Sequence, residues 1–412
     1  MVRMQASPYP MVSVEDAIEL VLARARVLGS QNIDITEALG RVLAEGVIAV
    51  DDMPPFDAAA VDGYAVIGAD GAQPRQVLSE ITAGFAEERS VESGTAMRIM
   101  TGAPLPGGAD SVVMVEQTTE TDGMVTLASR PRQGDNVHRR GQDVRVGQEV
   151  LTPGTVLGAA DIGLLATVGR TRVQVYRRPV VAVLSTGDEL VEPDQALRPG
   201  AIRDSNRYAL LASVREAGGE PISLGQVRDD EAEQEALIRE GLRRADVVLT
   251  SGGVSVGSRD LIKPILRRIG TILFGRVAFK PGKPTTFATV DDRLVFGLPG
   301  FPVSSLVSFE AFVRPALRKM QGHRRVHRPR IRVVLEHPVT PSADRTELQR
   351  AVVRWHEGRL VARSTGVQRS SRLLSLVGAN ALLWIPPGTE LLPAGAGIDA
   401  LLVGEIISDN GA

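Results

Sequence analysis

The stretch from Pro179 to Gly322 constrains the fold most. Short apolar runs alternate there with amphipathic segments, and most runs end in a turn rich in glycine or proline. VVAVLST is apolar almost throughout, as expected of a strand covered on both faces. NRYALLASVREAGG reads as a helix with a glycine stop, ISLGQV as a strand, EAEQEALIREGLRRA as a helix and DVVLTSGG as a strand, and LIKPILRRIG and the segment after LVFGLPG continue the alternation. Strands alternating with helices of this length predict a parallel, doubly wound α/β domain over residues 179–322. Such a sheet takes its ligands at the carboxyl ends of its strands.

A chain of 412 residues is too long for that domain alone. Ser13 caps a predicted amphipathic helix, VEDAIELVLARA, and a second helix is predicted from Thr36 to Gly46. From Val47 the pattern turns to short apolar runs between Gly, Pro and Asp clusters, a β-rich module; from about residue 323 alternating residues and Pro-Gly turns predict a small β-domain. GHRRVHRPR, which holds His323 and His327, reads as a solvated basic connector. The formal net charge of −2 disfavours nucleic-acid or membrane-surface binding. With no apolar leader or 18-residue apolar run, a cytoplasmic protein is expected. Cysteine is absent, so thiolate metal sites and cysteine nucleophiles are excluded.

Five special sequences fall at the predicted carboxyl ends of the strands: Ser185 to Leu190 (STGDEL), Arg228-Asp229-Asp230, Ser251 to Gly257 (SGGVSVG), Lys280-Pro281-Gly282-Lys283, and Leu298 to Ser304 (LPGFPVS). Gly252, Gly253 and Gly257 permit close backbone approach to an anion, and Ser251 and Ser255 offer hydroxyls. Asp188, Glu189, Asp229 and Asp260 would repel a bare phosphate, which points to a bridging Mg²⁺. Only four of the 47 basic residues are lysine (Lys263, Lys280, Lys283 and Lys319), and two of them occupy the KPGK turn. A phosphorylated, nucleotide-like ligand with magnesium fits this composition. Outside the domain, Asp57 and Asp62 lie in a constrained loop, Thr101 to Pro106 form another, and Arg345, Arg350, Arg369 and Arg372 with Ser370 form a candidate oxyanion site.

These strings resemble the molybdenum insertases of molybdenum cofactor biosynthesis, the MoeA type in bacteria and the E domain of gephyrin. FDxxAxDGYAV (Phe56 to Val66), TGAPLPxGAD (Thr101 to Asp110), STGDEL, Asp204-Ser205-Asn206, TSGGVSVGxxD (Thr250 to Asp260), KPGKP, LPGxPVS, RTELQR (Arg345 to Arg350) and Ala379-Asn380 follow the family order over nearly the whole chain. TSGGVSVG, KPGKP and LPGxPVS are shared with the MogA-type molybdopterin adenylyltransferases; the flanking strings favour the insertase. The resemblance implies an elongated homodimer whose active cleft lies between subunits. Each subunit would have four domains: 1–47 with 147–178, an inserted β-rich domain 48–146, the MogA-like α/β domain 179–322, and a C-terminal β-barrel-like domain 323–412.

It also implies the reaction: molybdopterin adenylate and molybdate yield molybdenum cofactor and AMP, with Mg²⁺. The substrate's own dithiolene sulfurs take the metal, so a chain without cysteine suffices. Lys280, Lys283, Ser251, Gly252, Gly253, Ser255, Gly257, Asp260, Pro299, Gly300 and Ser304 would hold phosphates and pterin. Asp188, Glu189, Asp229 and Asp260 would place Mg²⁺, with Glu189, Asp229 and Lys280 catalytic. Asp62 and Thr101 would complete the cleft, and Arg350 and Ser370 would bind molybdate. Transient contacts with a MogA-type adenylyltransferase and with molybdoenzyme apoproteins are further expectations.

The chain departs from the family pattern at Ala58, Ala59, Val61, His138, Gln142, Phe301, Arg369 and Ser371. Two other functions compete with the insertase: an ATP-using adenylyltransferase, disfavoured by the extra domains, and a non-catalytic scaffold, disfavoured by the retained KPGK turn and rim carboxylates.

Overall fold

The computed structural model describes residues 9–85, 87–254, 260–342 and 344–408. The chain forms two compact units, Met1–Gln31 with Tyr176–Ala412, and Asn32–Val175. Helix α1 (Val14–Arg24) belongs to the first. Ser13 Oγ accepts from Asp16 N at 3.0 Å, as the cap pattern predicts, and Val14, Ala17 and Val21 are buried in the core of that unit.

In the second unit a six-stranded sheet comprises β1 (Gly63–Val66), β2 (Arg75–Ile81), β3 (Thr95–Ile99), β4 (Ser111–Met114), β5 (Thr118–Thr121) and β6 (Met124–Leu127), ordered β4-β1-β3-β2-β6-β5. A separate cluster packs Leu43, Val47, Leu151 and Val175 with Leu165 of helix α2 (Ala159–Thr167). The helix predicted from Thr36 to Gly46 is not formed. Asp34 caps a single 3-10 turn, Ile35–Glu37, and Gly40 then takes φ +73°. Leu43 N and Ala44 N donate instead to Thr155 O and Gln174 O, so pairing with distant segments overrides the local helical pattern.

The first unit carries the doubly wound module: β7 (Val180–Thr186), α3 (Asn206–Glu216), β8 (Glu220–Val227), α4 (Glu231–Arg244), β9 (Val247–Ser251), α5 (Ile262–Ile269), β10 (Thr271–Phe274), β11 (Phe279–Lys280), β12 (Thr286–Val290), β13 (Arg293–Leu298), α6 (Pro302–Ser308) and α7 (Arg314–Met320). The sheet order is β8-β7-β9-β13-β12-β10. Side chains alternate between its faces: Val181, Val183, Val247, Leu249 and Phe296 pack with α3, α6 and α7, whereas Ala182, Leu184, Val248 and Val295 pack with α4 and α5. The predicted all-parallel sheet needs correction at one edge. β8, β7, β9 and β13 are parallel, but β12 runs antiparallel to both of its neighbours, β13 and β10, so that β12 alone is reversed and the edge strand β10 again runs with the first four. The reversal is a tight hairpin at Asp291-Asp292, where Asp291 has φ +50°.

The C-terminal strands β14 (Arg330–Leu335), β15 (Thr346–His356), β16 (Arg359–Ser364), β17 (Ala381–Ile385) and β18 (Gly397–Leu402) close as β15-β16-β14-β18-β17-β15, a five-stranded barrel. β11 adds to it in parallel, Lys280 facing Glu347 in register. A strand from the α/β segment thus carries the KPGK turn onto the barrel. No helix among the described residues is long and apolar enough to cross a membrane.

Candidate active site

The carboxyl ends of β7, β9 and β13 converge on a cavity of about 700 Å³. Ser185 and Thr186 reach it from β7, Ser251, Gly252, Gly253 and Val254 from β9, and Pro299, Gly300 and Phe301 from β13. Gly252 has φ +97°, and a Cβ there would sit 2.6 Å from Thr186 O; one at Gly300 would lie 3.7 Å from Gly252 Cα. Glycine is therefore required at Gly252, whereas a Cβ at Gly300 would make only an ordinary contact. Asn206, at the start of α3, ties them together: its Nδ2 donates to Ser251 Oγ and to Gly300 O, both at 2.7 Å.

Beneath the rim, buried Asp204 accepts from Ser185 Oγ (3.0 Å), Arg207 N (3.1 Å) and Arg207 Nε (2.9 Å). Arg207 also donates to Ser223 Oγ and to both oxygens of Glu192. Burial alone would lower the Arg207 pKa, but the bonds to Asp204 and Glu192 raise it, so the guanidinium is a permanent charge. This network fixes the first turn of the site. Sequence reasoning matched the Asp-Ser-Asn triplet without assigning it this role.

Glu189, Asp229 and Asp260 line the cavity, whereas Asp188 does not; its Oδ1 accepts from Asp229 N at 3.2 Å. Burial raises the Asp260 pKa against the opposing effect of Lys263, whose Nζ lies 2.8 Å from Oδ2 and 2.9 Å from Val254 O. Asp260 Oδ1 is buried and without a partner among the described residues. Among those residues no three carboxylate or histidine side chains gather to hold a metal ion, so the four expected Mg²⁺ carboxylates do not form one cage. The orphaned oxygen of Asp260, in a cavity that Glu189 and Asp229 also line, still fits Mg²⁺, which usually takes one or two carboxylates and completes its shell with phosphate and water. Ser255 and Gly257 lie outside the described residues. Ser304 is buried in α6 and does not line the cavity.

The two KPGK lysines part company. Lys280 Nζ lies 2.6 Å from Ser342 Oγ and 3.2 Å from buried Glu347, at the junction with the barrel, and does not line the rim cavity. Pro284, next to Lys283, does line it, and Lys283 is near enough for its charge to help lower the Asp344 pKa, secondary to the Arg345 bond. Glu347 was not singled out as a site residue, because its partner is 67 positions away in sequence.

Arg350, on β15, is 1% exposed, and burial lowers its pKa to about 10. It donates to Ser375 Oγ at 3.1 Å and to Arg369 O at 3.3 Å, and it forms no ion pair among the described residues. The loop following β16 runs from this guanidinium to the rim: Val303 N donates to Ser370 O at 3.1 Å, and Ser371 and Leu373 line the cavity. A buried cation with no ion pair among the described residues, on which the charge of Glu347 acts, is thus linked along the chain to the rim cavity through Arg369, Ser370 and Ser371.

In the other unit Asp62 Oδ1 accepts from Thr101 N and Thr101 Oγ1, both at 2.7 Å, and these bonds hold its pKa below the usual carboxylate range. Asp57 accepts from Arg139 Nη1 and Arg140 N. Ala58 and Ala59 are buried and pair with Val137-His138, so small residues suit this strand, and Gln142 Oε1 accepts from Arg139 N. Phe301 is exposed at the cavity mouth.

Fold and site define a multidomain protein built on a doubly wound α/β module, with a glycine-lined rim cavity and a buried guanidinium on an attached barrel. Residues 12–169 match the family model of the MoeA N-terminal region (domain I and II), residues 182–319 that of a probable molybdopterin binding domain, and residues 332–403 that of the MoeA C-terminal region (domain IV). The chain belongs to the MoeA family. It is 36% identical over 406 residues to the molybdopterin molybdenumtransferase of Bacillus subtilis, covering 96% of this chain and 94% of that protein. It is 35% identical over 456 residues to gephyrin of Dictyostelium discoideum, covering 98% of this chain but 64% of gephyrin. The crystal structure of the molybdopterin biosynthesis MoeA protein from Pyrococcus horikosii superposes with a TM-score of 0.83 at 32% identity, covering 96% of this chain and all of that one.

Proposed function

We propose that the protein is a molybdopterin molybdenumtransferase: it inserts molybdenum from molybdate into the dithiolene of molybdopterin adenylate, releasing AMP. The observation that carries this reading is the chain link between the rim cavity, sized for a nucleotide-like ligand, and Arg350, a buried cation that makes no ion pair among the described residues. The family membership supports it.

In this reading the turns at Gly252-Gly253 and Pro299-Gly300 bring backbone groups against the phosphates, with Ser251 and Lys283 beside them; the family motif assigns Ser255 and Gly257, outside the described residues, to the same ligand. One or two of the cavity carboxylates Asp260, Glu189 and Asp229 would hold Mg²⁺, with Asp188 positioning Asp229; bound there, the ion would neutralise charge on the anhydride. Arg350 and Ser370 hold molybdate. Lys280, anchored by Glu347, adds positive charge at the barrel junction rather than in the rim. An oxygen of water or molybdate attacks phosphorus, the anhydride P–O bond breaks, and AMP leaves; fixed donors in a partly dry cavity stabilise the charge that develops. Asp62 and Thr101 of the partner subunit would close the cleft of a homodimer with the four-domain division expected above. The reading also includes a cytoplasmic setting, a MogA-type adenylyltransferase delivering the substrate and apoenzymes receiving the product.

The test is AMP release from molybdopterin adenylate with Mg²⁺, with and without molybdate. Molybdate-dependent release alongside molybdenum cofactor supports the proposal; release that ignores molybdate contradicts it. An unchanged rate in Lys280→Ala would remove Lys280 from the catalytic set.

A further inference from the structure

The connector GHRRVHRPR is not solvated throughout, as its charge pattern predicts: His323 is 5% exposed and Arg328 is largely buried at 17%. With α7 these residues form a dense cationic cluster remote in sequence from the rim motifs. Arg328 takes the carboxylates within reach, donating to Glu310 Oε2 at 3.0 Å, Glu310 Oε1 at 3.1 Å and Glu216 Oε1 at 2.7 Å. Among the described residues Arg314 is left with one side-chain hydrogen bond, to Val326 O, and its Nε lies 3.9 Å from Glu310, too far for a hydrogen bond. Arg318 has no side-chain bond among the described residues. Arg314 Nε, Arg318 Nε and His323 Nε2 are all buried without a partner.

The charges do not balance. Three guanidinium groups face two carboxylates, and Glu216 is 63% exposed, so its charge is screened. The His323 ring is neutral: burial first, then Arg318 and Arg314, lower its pKa to about 4. Burial and Arg328 likewise lower the Arg314 pKa to about 10. Partly buried cations in excess of their carboxylates, with three buried nitrogens that lack partners among the described residues, are costly unless something supplies acceptors.

We propose that Arg314, Arg318 and His323 form a second anion site, distinct from Arg350, for a small tetrahedral oxyanion of the sulfate, phosphate or molybdate type. Such an ion supplies several acceptor oxygens and the missing negative charge together. Bound there, it would fasten the connector that leads from the α/β module into the barrel. The inference does not depend on the proposed reaction.

The direct test is a crystal soaked in selenate and examined for anomalous scattering, with calorimetric titrations of sulfate, phosphate and molybdate to rank the ions. The expected result is a selenium peak within hydrogen-bond reach of the Arg318 guanidinium. Sulfate should also raise the melting temperature of Arg350→Met, which lacks the other oxyanion site, and not that of the double variant Arg350→Met/Arg318→Met. Should the double variant fail to fold, Arg350→Met/His323→Gln serves, with at least a threefold loss of sulfate affinity expected. Water alone at the cluster, or an undiminished sulfate response in these variants, overturns the proposal.

Discussion

Replacing Asn206 by alanine probes the rim without touching a charge. Its Nδ2 makes two bonds of 2.7 Å, one to Ser251 Oγ, on a residue 3% exposed, and one to Gly300 O, on an exposed turn. Two neutral hydrogen bonds contribute about 1 kcal/mol each, and stranding the buried serine hydroxyl costs about 1 kcal/mol more, whereas the Gly300 carbonyl can rehydrate. Removing Asn206 Oδ1, itself buried without a partner, returns about 1 kcal/mol. The net expectation is a loss of about 2 kcal/mol in urea unfolding. The larger effect should be on ligand binding, because the Ser251 and Pro299-Gly300 turns lose their tie: AMP affinity should fall tenfold or more by calorimetry. Asn206→Asp should be worse still, since it sets a carboxylate against Gly300 O. Both variants binding AMP like wild type would refute the reading of Asn206 as the link between the turns.

Gly252→Ala should destabilise the protein by about 2–3 kcal/mol, from the positive φ and the 2.6 Å approach to Thr186 O, and weaken AMP binding; unfolding and titration measurements check both. Arg350→Met should leave stability unchanged or raise it by about 1 kcal/mol, because a buried cation with no ion pair among the described residues is removed, while molybdate affinity drops at least tenfold; a strongly destabilised variant would mean that Arg350 is structural. Asp246 is buried yet has a lowered pKa: burial raises it, but bonds from Arg177 and Val180 N and the charge of Arg293 outweigh this. Its stabilisation is therefore present above the unfolded value near 3.8 and fades as pH falls through the lower folded value. Asp246→Asn should cost about 3 kcal/mol at pH 7, and the gap from wild type should shrink below pH 4.

Much of the rim was legible because its chemistry is local. STGDEL, SGGV and LPGFP each end a strand, and alternation alone places such ends on one edge of a doubly wound sheet. Lys280 was harder to place. Its position in the KPGK turn points to the rim, but pairing of β11 with β15 carries it to Glu347, and that partnership has no signal in local sequence. The antiparallel edge at β12 turns on the conformation of a single residue, Asp291. The connector misled for a related reason: a run of arginines and histidines reads as solvated, yet helix packing buries His323 and divides the carboxylates unevenly among the cations.

The account's central claim is that the rim cavity and Arg350 form one site for a phosphoanhydride and an oxyanion. A crystal structure with AMP and tungstate, which gives a strong anomalous signal, tests it most directly. The account predicts AMP phosphate at the Gly252-Gly253 and Pro299-Gly300 turns and a tungsten peak within hydrogen-bond reach of Arg350. AMP bound away from those turns, or an Arg350 pocket without tungsten at saturating tungstate, would contradict it.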